Sequence, residues 1–234
     1  MSSAAAFQGV TSADDPYKLG RRQRGHGHGH GHGGGPGEPT GHGAGGPASK
    51  RIVTGYGFWI FLLSDIVMFS AFFAAYAVLA RATAGGPSGH DLFEPWRVAL
   101  ETGFLLASSF TCGLSKVASD ARHMLATQFF LLITGLLGLG FLVLEIEEFA
   151  SMAAEGAGPG RSGFLSAFFA VVGCHGLHVT AGLLWLGTMM AQVWAKGFRP
   201  DIDRRLLCFN LFWHALDIIW VALFTIVYLI GSGA

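Results

Sequence analysis

The stretch 164-FLSAFFAVVGCHGLHVTAGLLWLGTMMA-191 decides the fold. It carries no acidic or basic side chain and is long enough to cross a bilayer as a helix, which takes about 20 apolar residues. Near its middle stand two imidazoles, His175 and His178, three residues apart. On a helix they lie on one face, about 60° from each other. Ionisable side chains are expensive in hydrocarbon, so a spanning helix that keeps them usually turns them toward protein or water.

Working outward, the same arrangement recurs. The 234-residue chain is 51% hydrophobic and 13% charged, with a mean hydropathy of +0.47. Soluble domains carry about 25% charged residues. Between Arg51 and Arg81 the only charge is Asp65, from Met124 to Leu144 there is none, and after Leu206 there is only Asp217. A weaker run between Arg97 and Lys116 is interrupted by Glu101 alone. With the first stretch, these runs predict an all-α integral membrane bundle of five transmembrane helices. The expected helices lie near Gly55–Ala80, Val98–Val117, His123–Phe149, Phe164–Ala191 and Leu206–Gly231.

Residues 1–50 read differently. This segment holds 14 glycines and an HGHGHGH run with histidines at 26, 28, 30 and 32. It has almost nothing to bury and is expected to form a disordered Gly/His-rich tail ahead of a membrane domain at 51–234. Divalent metal binding by the tail is the sharper reading, and a solvated linker the better supported one. No apolar stretch before a small-residue cleavage site is visible there, so no signal peptide is expected. The 83–96 loop, TAGGPSGHDLFEPW, is rich in turn formers and is expected outside the membrane core.

Basic residues orient the bundle. Twelve of the 15 lysines and arginines fall before the first helix, between helices 2 and 3, or between helices 4 and 5. Arg81, Arg97 and Arg161 lie on the opposite side. The positive-inside rule then places the N-terminus in the cytoplasm and the C-terminus in the periplasm. An odd number of crossings agrees.

The intramembrane polar residues are the candidate functional positions. Asp65 is either a proton-handling or lipid-facing acid, or an anchor that hydrogen-bonds a neighbouring helix. Glu101 lies near a helix N-terminus, where an interfacial acid is favourable. In LEIEEFA, Glu145 and Glu148 share a face and Glu147 does not. A solvated rim is the bland expectation for this helix end, and Glu145, the deepest, is the candidate for more. In LFWHALDIIW, His214 and Asp217 share a face and suit a hydrogen-bonded pair that eases their burial. Trp213 and Trp220 suit packing or interfacial anchoring. Ala71 and Ala75 form a small-xxx-small pair open to close helix approach. Cys112, Cys174 and Cys208 form no CxxC pair and read as small packing residues.

The inventory excludes several chemistries. There is no phosphate-cradling glycine loop, no nucleophile elbow, no Cys/His zinc spacing and no HExxH. Haem would need ligands from facing helices, whereas His175 and His178 share one helix. A metal site joining His178 with His214 or Asp217 is no better supported. No feature points to nucleic acid.

Three segments carry a resemblance. GFWIFLLSDIVMFSAFFAAYAVL (57–79), FLSAFFAVVGCHGLHVTAGLLWL (164–186) and LFWHALDIIWVALFTIVYLIG (211–231) resemble the first, fourth and fifth helices of the five-helix form of haem-copper oxidase subunit III. The 83–96 loop, the His–Met opening of helix 3 and its LExxEF ending fit as well, and the wording is most similar to the bo-type, ubiquinol-oxidising branch. Seven-helix relatives that use cytochrome c have two further N-terminal helices, and many carry Glu where this chain has Asp65.

The resemblance implies a non-catalytic accessory subunit of a proton-pumping terminal oxidase in the bacterial inner membrane. It implies that this chain binds no cofactor, and that haem and copper belong to partner subunit I. The implied partners are subunits I, II and IV and membrane phospholipid. It further implies support of subunit I and of proton uptake. Asp65, Glu145, Glu148, His175, His178, His214 and Asp217 would then hold helices together or meet lipid headgroups and the large subunit. Two alternatives remain at this point. One is an equivalent role in a cytochrome c oxidase or nitric oxide reductase complex. The other is an independent proton-coupled carrier, against which the absence of visible inverted repeats counts.

Overall fold

The computed structural model describes residues 50–85 and 95–230. The Gly/His-rich tail and most of the 83–96 loop lie outside the described residues. Five long helices follow in order: α1 (Lys50–Leu79), α2 (Pro95–Asp120), α3 (Met124–Ala154), α4 (Gly163–Lys196) and α5 (Pro200–Leu223). A π-helical segment, Phe224–Ile230, continues α5. All regular structure among the described residues is helical, and all five helices are long and apolar enough to span a membrane.

The helices begin and end where local chemistry dictates. Ser162 caps α4 by accepting a hydrogen bond from the Leu165 amide at 3.2 Å. Gly197 ends that helix with φ of 65°, a conformation glycine adopts without steric cost. Pro200 opens α5, with Asp201 and Asp203 in the first turn beside the positive end of the helix dipole. The helices differ from the expected ranges mainly by running longer: α3 continues to Ala154 rather than ending at Phe149, and α5 begins at Pro200 rather than at Leu206.

α2 and α3 form a tightly packed antiparallel hairpin. α3 also packs on α4, α4 on α5, and α5 closes back onto α2, while α1 lies against α4 and α5. The turn between α2 and α3 passes through Arg122 at φ 59°. That strained residue is tied down: its guanidinium donates to the Phe198 carbonyl at 2.8 Å and pairs with Asp203 at 2.9 Å. The α2–α3 and α4–α5 turns therefore share one end of the bundle. At the other end, the Phe164 amide donates to the Ala82 carbonyl at 3.2 Å, and Arg97 pairs with Glu147 at 3.0 Å.

The core is sealed by large rings set against small residues. The Trp213 indole lies so close to Gly138 of α3 and Gly182 of α4 that a Cβ at either glycine would sit 2.9 Å from it. Its Nε1–H donates to Ser108 Oγ at 3.0 Å, which joins α5 to α2. Trp220 is fully buried and donates from Nε1 to Thr102 at 3.1 Å. Both tryptophans are thus packing residues rather than interfacial anchors. Ala71 and Ala75 face outward on α1 and mediate no packing within the chain.

Candidate functional site: the intramembrane polar groups

The polar residues singled out from sequence fall into two regions. The first is interior, between α2, α3, α4 and the π segment. Glu145 (α3) is buried and points at α4, where its Oε1 lies 2.6 Å from the place a Cβ on Gly176 would occupy. Any larger residue at 176 would displace the carboxyl. One turn further on, Glu148 is also buried and accepts a hydrogen bond from the Tyr228 hydroxyl at 3.2 Å. Glu101 of α2 is wholly buried, and the three carboxyls are close enough to act electrostatically on one another and on Tyr228.

These positions correct two expectations. Glu145 and Glu148 form no solvated rim, because α3 runs on past them and α2 and α4 cover their face. Only Glu147, on the other face, is exposed, and it meets Arg97. Glu101 is not an interfacial acid. It lies two turns inside α2, since that helix begins at Pro95 rather than at Val98. Both carboxylate oxygens of Glu101 and of Glu145 lack hydrogen-bond partners among the described residues.

His175 completes this interior. It is fully buried, neither ring nitrogen has a partner among the described residues, and its ring sits among Phe69, Phe141 and Trp220 with centroids 6.4, 5.8 and 5.2 Å away. His178, one turn on, is half-buried. Its Nδ1–H donates to the Cys174 carbonyl at 2.7 Å, and its ring lies edge-on to Phe69 at 5.3 Å. Both imidazoles therefore meet Phe69 of α1, with His175 reaching further into the α3–α5 core. Asp65, on α1, is half-buried and close enough to Cys174 to act on it electrostatically.

The second region is lateral, on the outer side of α2 and α5. His214 and Asp217 are each half-buried there. His214 bonds Ser109 of α2 rather than Asp217: the Ser109 hydroxyl lies 2.7 Å from His214 Nδ1. Asp217 Oδ1 is buried and has no hydrogen-bond partner among the described residues. Ser109 reaches His214 because α2 and α5 pack closely here, as the Trp213–Ser108 bond one residue away records.

Among the described residues, no group of three or more His, Cys, Asp or Glu side chains is placed to hold a metal ion. Among the described residues, His175 is enclosed by aromatic rings, His178 is bonded to its own helix, and His214 is bonded to Ser109. The three cysteines are free, with Cys112 and Cys208 buried as small packing residues. Cys112 lies 3.5 Å from Asn210 Oδ1.

Sequence reasoning passed over Ser109 and Tyr228 and read Glu101 as interfacial. For Glu101 the signal was present, since it is the single charge in an otherwise uncharged run. Ser109 resembles many helix serines. Tyr228 reaches Glu148 from the π segment, a local widening that no residue spacing announced.

The comparisons with known proteins fit this geometry. A family model described as Cytochrome c oxidase subunit III matches residues 38–232. The chain is 50% identical over 179 residues to the cytochrome bo(3) ubiquinol oxidase subunit 3 of Pseudomonas aeruginosa, covering 76% of this chain and 86% of that protein. It is 44% identical over 175 residues to the protein of that name from Buchnera aphidicola subsp. Baizongia pistaciae, covering 75% and 90%. The quinol oxidase subunit 3 of Bacillus subtilis is 42% identical over 177 residues, covering 76% and 87%.

Proposed function

The chain belongs to the cytochrome c oxidase subunit III family, and on that premise we propose that it is the non-catalytic third subunit of a proton-pumping terminal oxidase that takes electrons from a quinol. It is a multi-pass protein of the bacterial inner membrane. Quinol is favoured as donor because relatives matched along most of their length bear quinol oxidase names. Haem, copper and oxygen chemistry then reside in partner subunit I, with subunits II and IV completing the complex.

The observation that carries the accessory role is where the membrane-embedded polar side chains go. Tyr228 with Glu148, Trp213 with Ser108, Trp220 with Thr102 and Ser109 with His214 each join two elements of this chain. Such contacts hold a bundle together. Rigidity of this kind suits a subunit that stabilises a larger neighbour and supports its proton uptake.

Lipid binding is part of the proposal. A groove of about 380 Å³ between α1, α4 and α5 is lined by Phe58, Trp185 and Cys208 and by Arg204 and Arg205, with Thr54 and the single carboxylate Asp201 completing the lining. Apolar walls beside two cations suit the acyl chains and anionic head of a phospholipid. The basic ends of the helices support placing this end, and the N-terminal segment, in the cytoplasm.

The reading is tested in cells that lack only this chain. Their membranes should keep the haem-bearing subunit, with initial quinol oxidase activity present but decaying faster during sustained turnover than in the intact complex. Turnover as durable as that of the intact complex would contradict the stabilising role.

A further inference from the structure

Most of the buried polar atoms that the fold leaves unmatched lie in one interior. Among the described residues, eight buried side-chain nitrogens and oxygens have no hydrogen-bond partner, and six of them belong to Glu101, Glu145 and His175. These residues come from α2, α3 and α4 and are 0, 2 and 0% exposed. Glu145 and His175 stand at one level. A Cβ on Gly176, the residue after His175, would lie 2.6 Å from Glu145 Oε1, and Phe141, one turn before Glu145, packs on the imidazole at 5.8 Å. Glu101 is brought to the same level by Trp220, whose Nε1–H bonds the adjoining Thr102 and whose ring lies 5.2 Å from that of His175. Glu101 and Glu145 are close enough to act on each other electrostatically, and Glu148 and Arg97 are the other charged groups that face them.

Buried polar groups are almost always hydrogen-bonded, and leaving one unmatched is costly. The chemistry of these three side chains defines what can match them. A carboxylate only accepts, while a neutral imidazole has one donor and one acceptor. A bridging ligand must therefore donate to carboxylate oxygens, accept from an imidazole N–H, and be small enough to lie inside a packed bundle. Water meets all three conditions, and a buried water typically makes about three hydrogen bonds to such groups. A bare cation accepts nothing from the imidazole N–H, and no group of three or more His, Cys, Asp or Glu side chains among the described residues is placed to hold a metal ion. We propose that Glu101, Glu145 and His175 form an internal water-binding site, in which bridging water joins α2, α3 and α4 in one hydrogen-bonded network. The proposal goes beyond the accessory-subunit reading and does not depend on it, because every residue of the site belongs to this chain.

The test is radiolytic hydroxyl-radical labelling of the protein as purified from native membranes, carried out in ¹⁸O-water. Radicals formed from a bound water attack the side chain beside it, so an enclosed residue is labelled only where water is held next to it. Phe141 and Phe209 make an internal comparison. Both are fully buried, but Phe141 lies against His175 whereas Phe209 lies against Trp185 and Trp213. Phe141 should take up about fivefold more label than Phe209, as expected for a residue lining a water site. Glu145→Leu should bring Phe141 down to the level of Phe209, and Glu145→Gln, which keeps the shape and the polar atoms, should preserve most of the difference.

Equal labelling of the two phenylalanines in the wild-type protein would overturn the proposal, whether or not the leucine variant folds. So would a Phe141 signal that Glu145→Leu leaves unchanged, since the water would then be held by other groups. Sodium or potassium retained stoichiometrically after exchange into choline salts, and released by Glu145→Gln, would also overturn it and make the site one for a cation.

Discussion

The interior and lateral polar groups both set ionisable residues three apart on a helix and end in opposite situations. Glu145 and Glu148 are three apart on α3 and both buried, while His214 and Asp217 are three apart on α5 and both half-exposed. On α5 the division falls between neighbours. Trp213 points into a slot between Gly138 and Gly182, and His214, the next residue, points out beside Ser109. Burial within the chain therefore separates the two groups. Interior changes should register as lost stability of the chain. Lateral changes should register as lost association, with the isolated chain little affected.

The largest expected effect is interior. Trp213→Ala should empty the slot between α3 and α4 and destabilise the chain by about 3–5 kcal/mol, seen as a lower melting temperature of the detergent-solubilised protein. A melting temperature near wild type would mean that the indole is not a core element. Next comes the lateral carboxylate. Asp217→Ala should reduce co-purification of the haem-bearing partner by about tenfold, corresponding to about 1.4 kcal/mol, while the melting temperature of the isolated chain changes little. The reverse outcome would erase the distinction between the two regions.

Tyr228→Phe sharpens the interior side. Removing the hydroxyl that donates to Glu148 should cost about 0.6–1.5 kcal/mol and leave partner recovery unchanged. The smallest effect is expected at the exposed Arg97–Glu147 pair. Arg97→Gln should shift stability by at most about 1 kcal/mol, and less still at high salt, because the charges are screened. A larger loss would point to a role for the buried Nε of Arg97, which has no partner within the chain.

The bundle itself was legible in the sequence because hydrocarbon imposes one rule along each span: charge-free runs of sufficient length must be helices. Hence Phe164–Ala191 located α4 with its ends short by one and five residues. The site was less legible, because residue spacing gives a face but not what covers it. Glu145 and Glu148 at an apparent helix end looked solvated until α3 was seen to continue and α2 to bring Glu101 against them. The spacing within α5 suggested a His214–Asp217 hydrogen bond, but His214 bonds Ser109 of another helix, which no such spacing could supply. Tyr228 depends on the π segment. Each miss involves a contact between helices.

The central claim is that this chain assists a haem-bearing partner rather than binding haem itself. The most direct measurement is to purify it by a C-terminal tag from native membranes, record the reduced-minus-oxidised spectrum, and repeat the spectrum after stripping the chain from its partners. The account predicts that the haem signal arrives with a large subunit and stays wholly with that subunit when this chain is removed. A stripped chain that retains stoichiometric haem would contradict it.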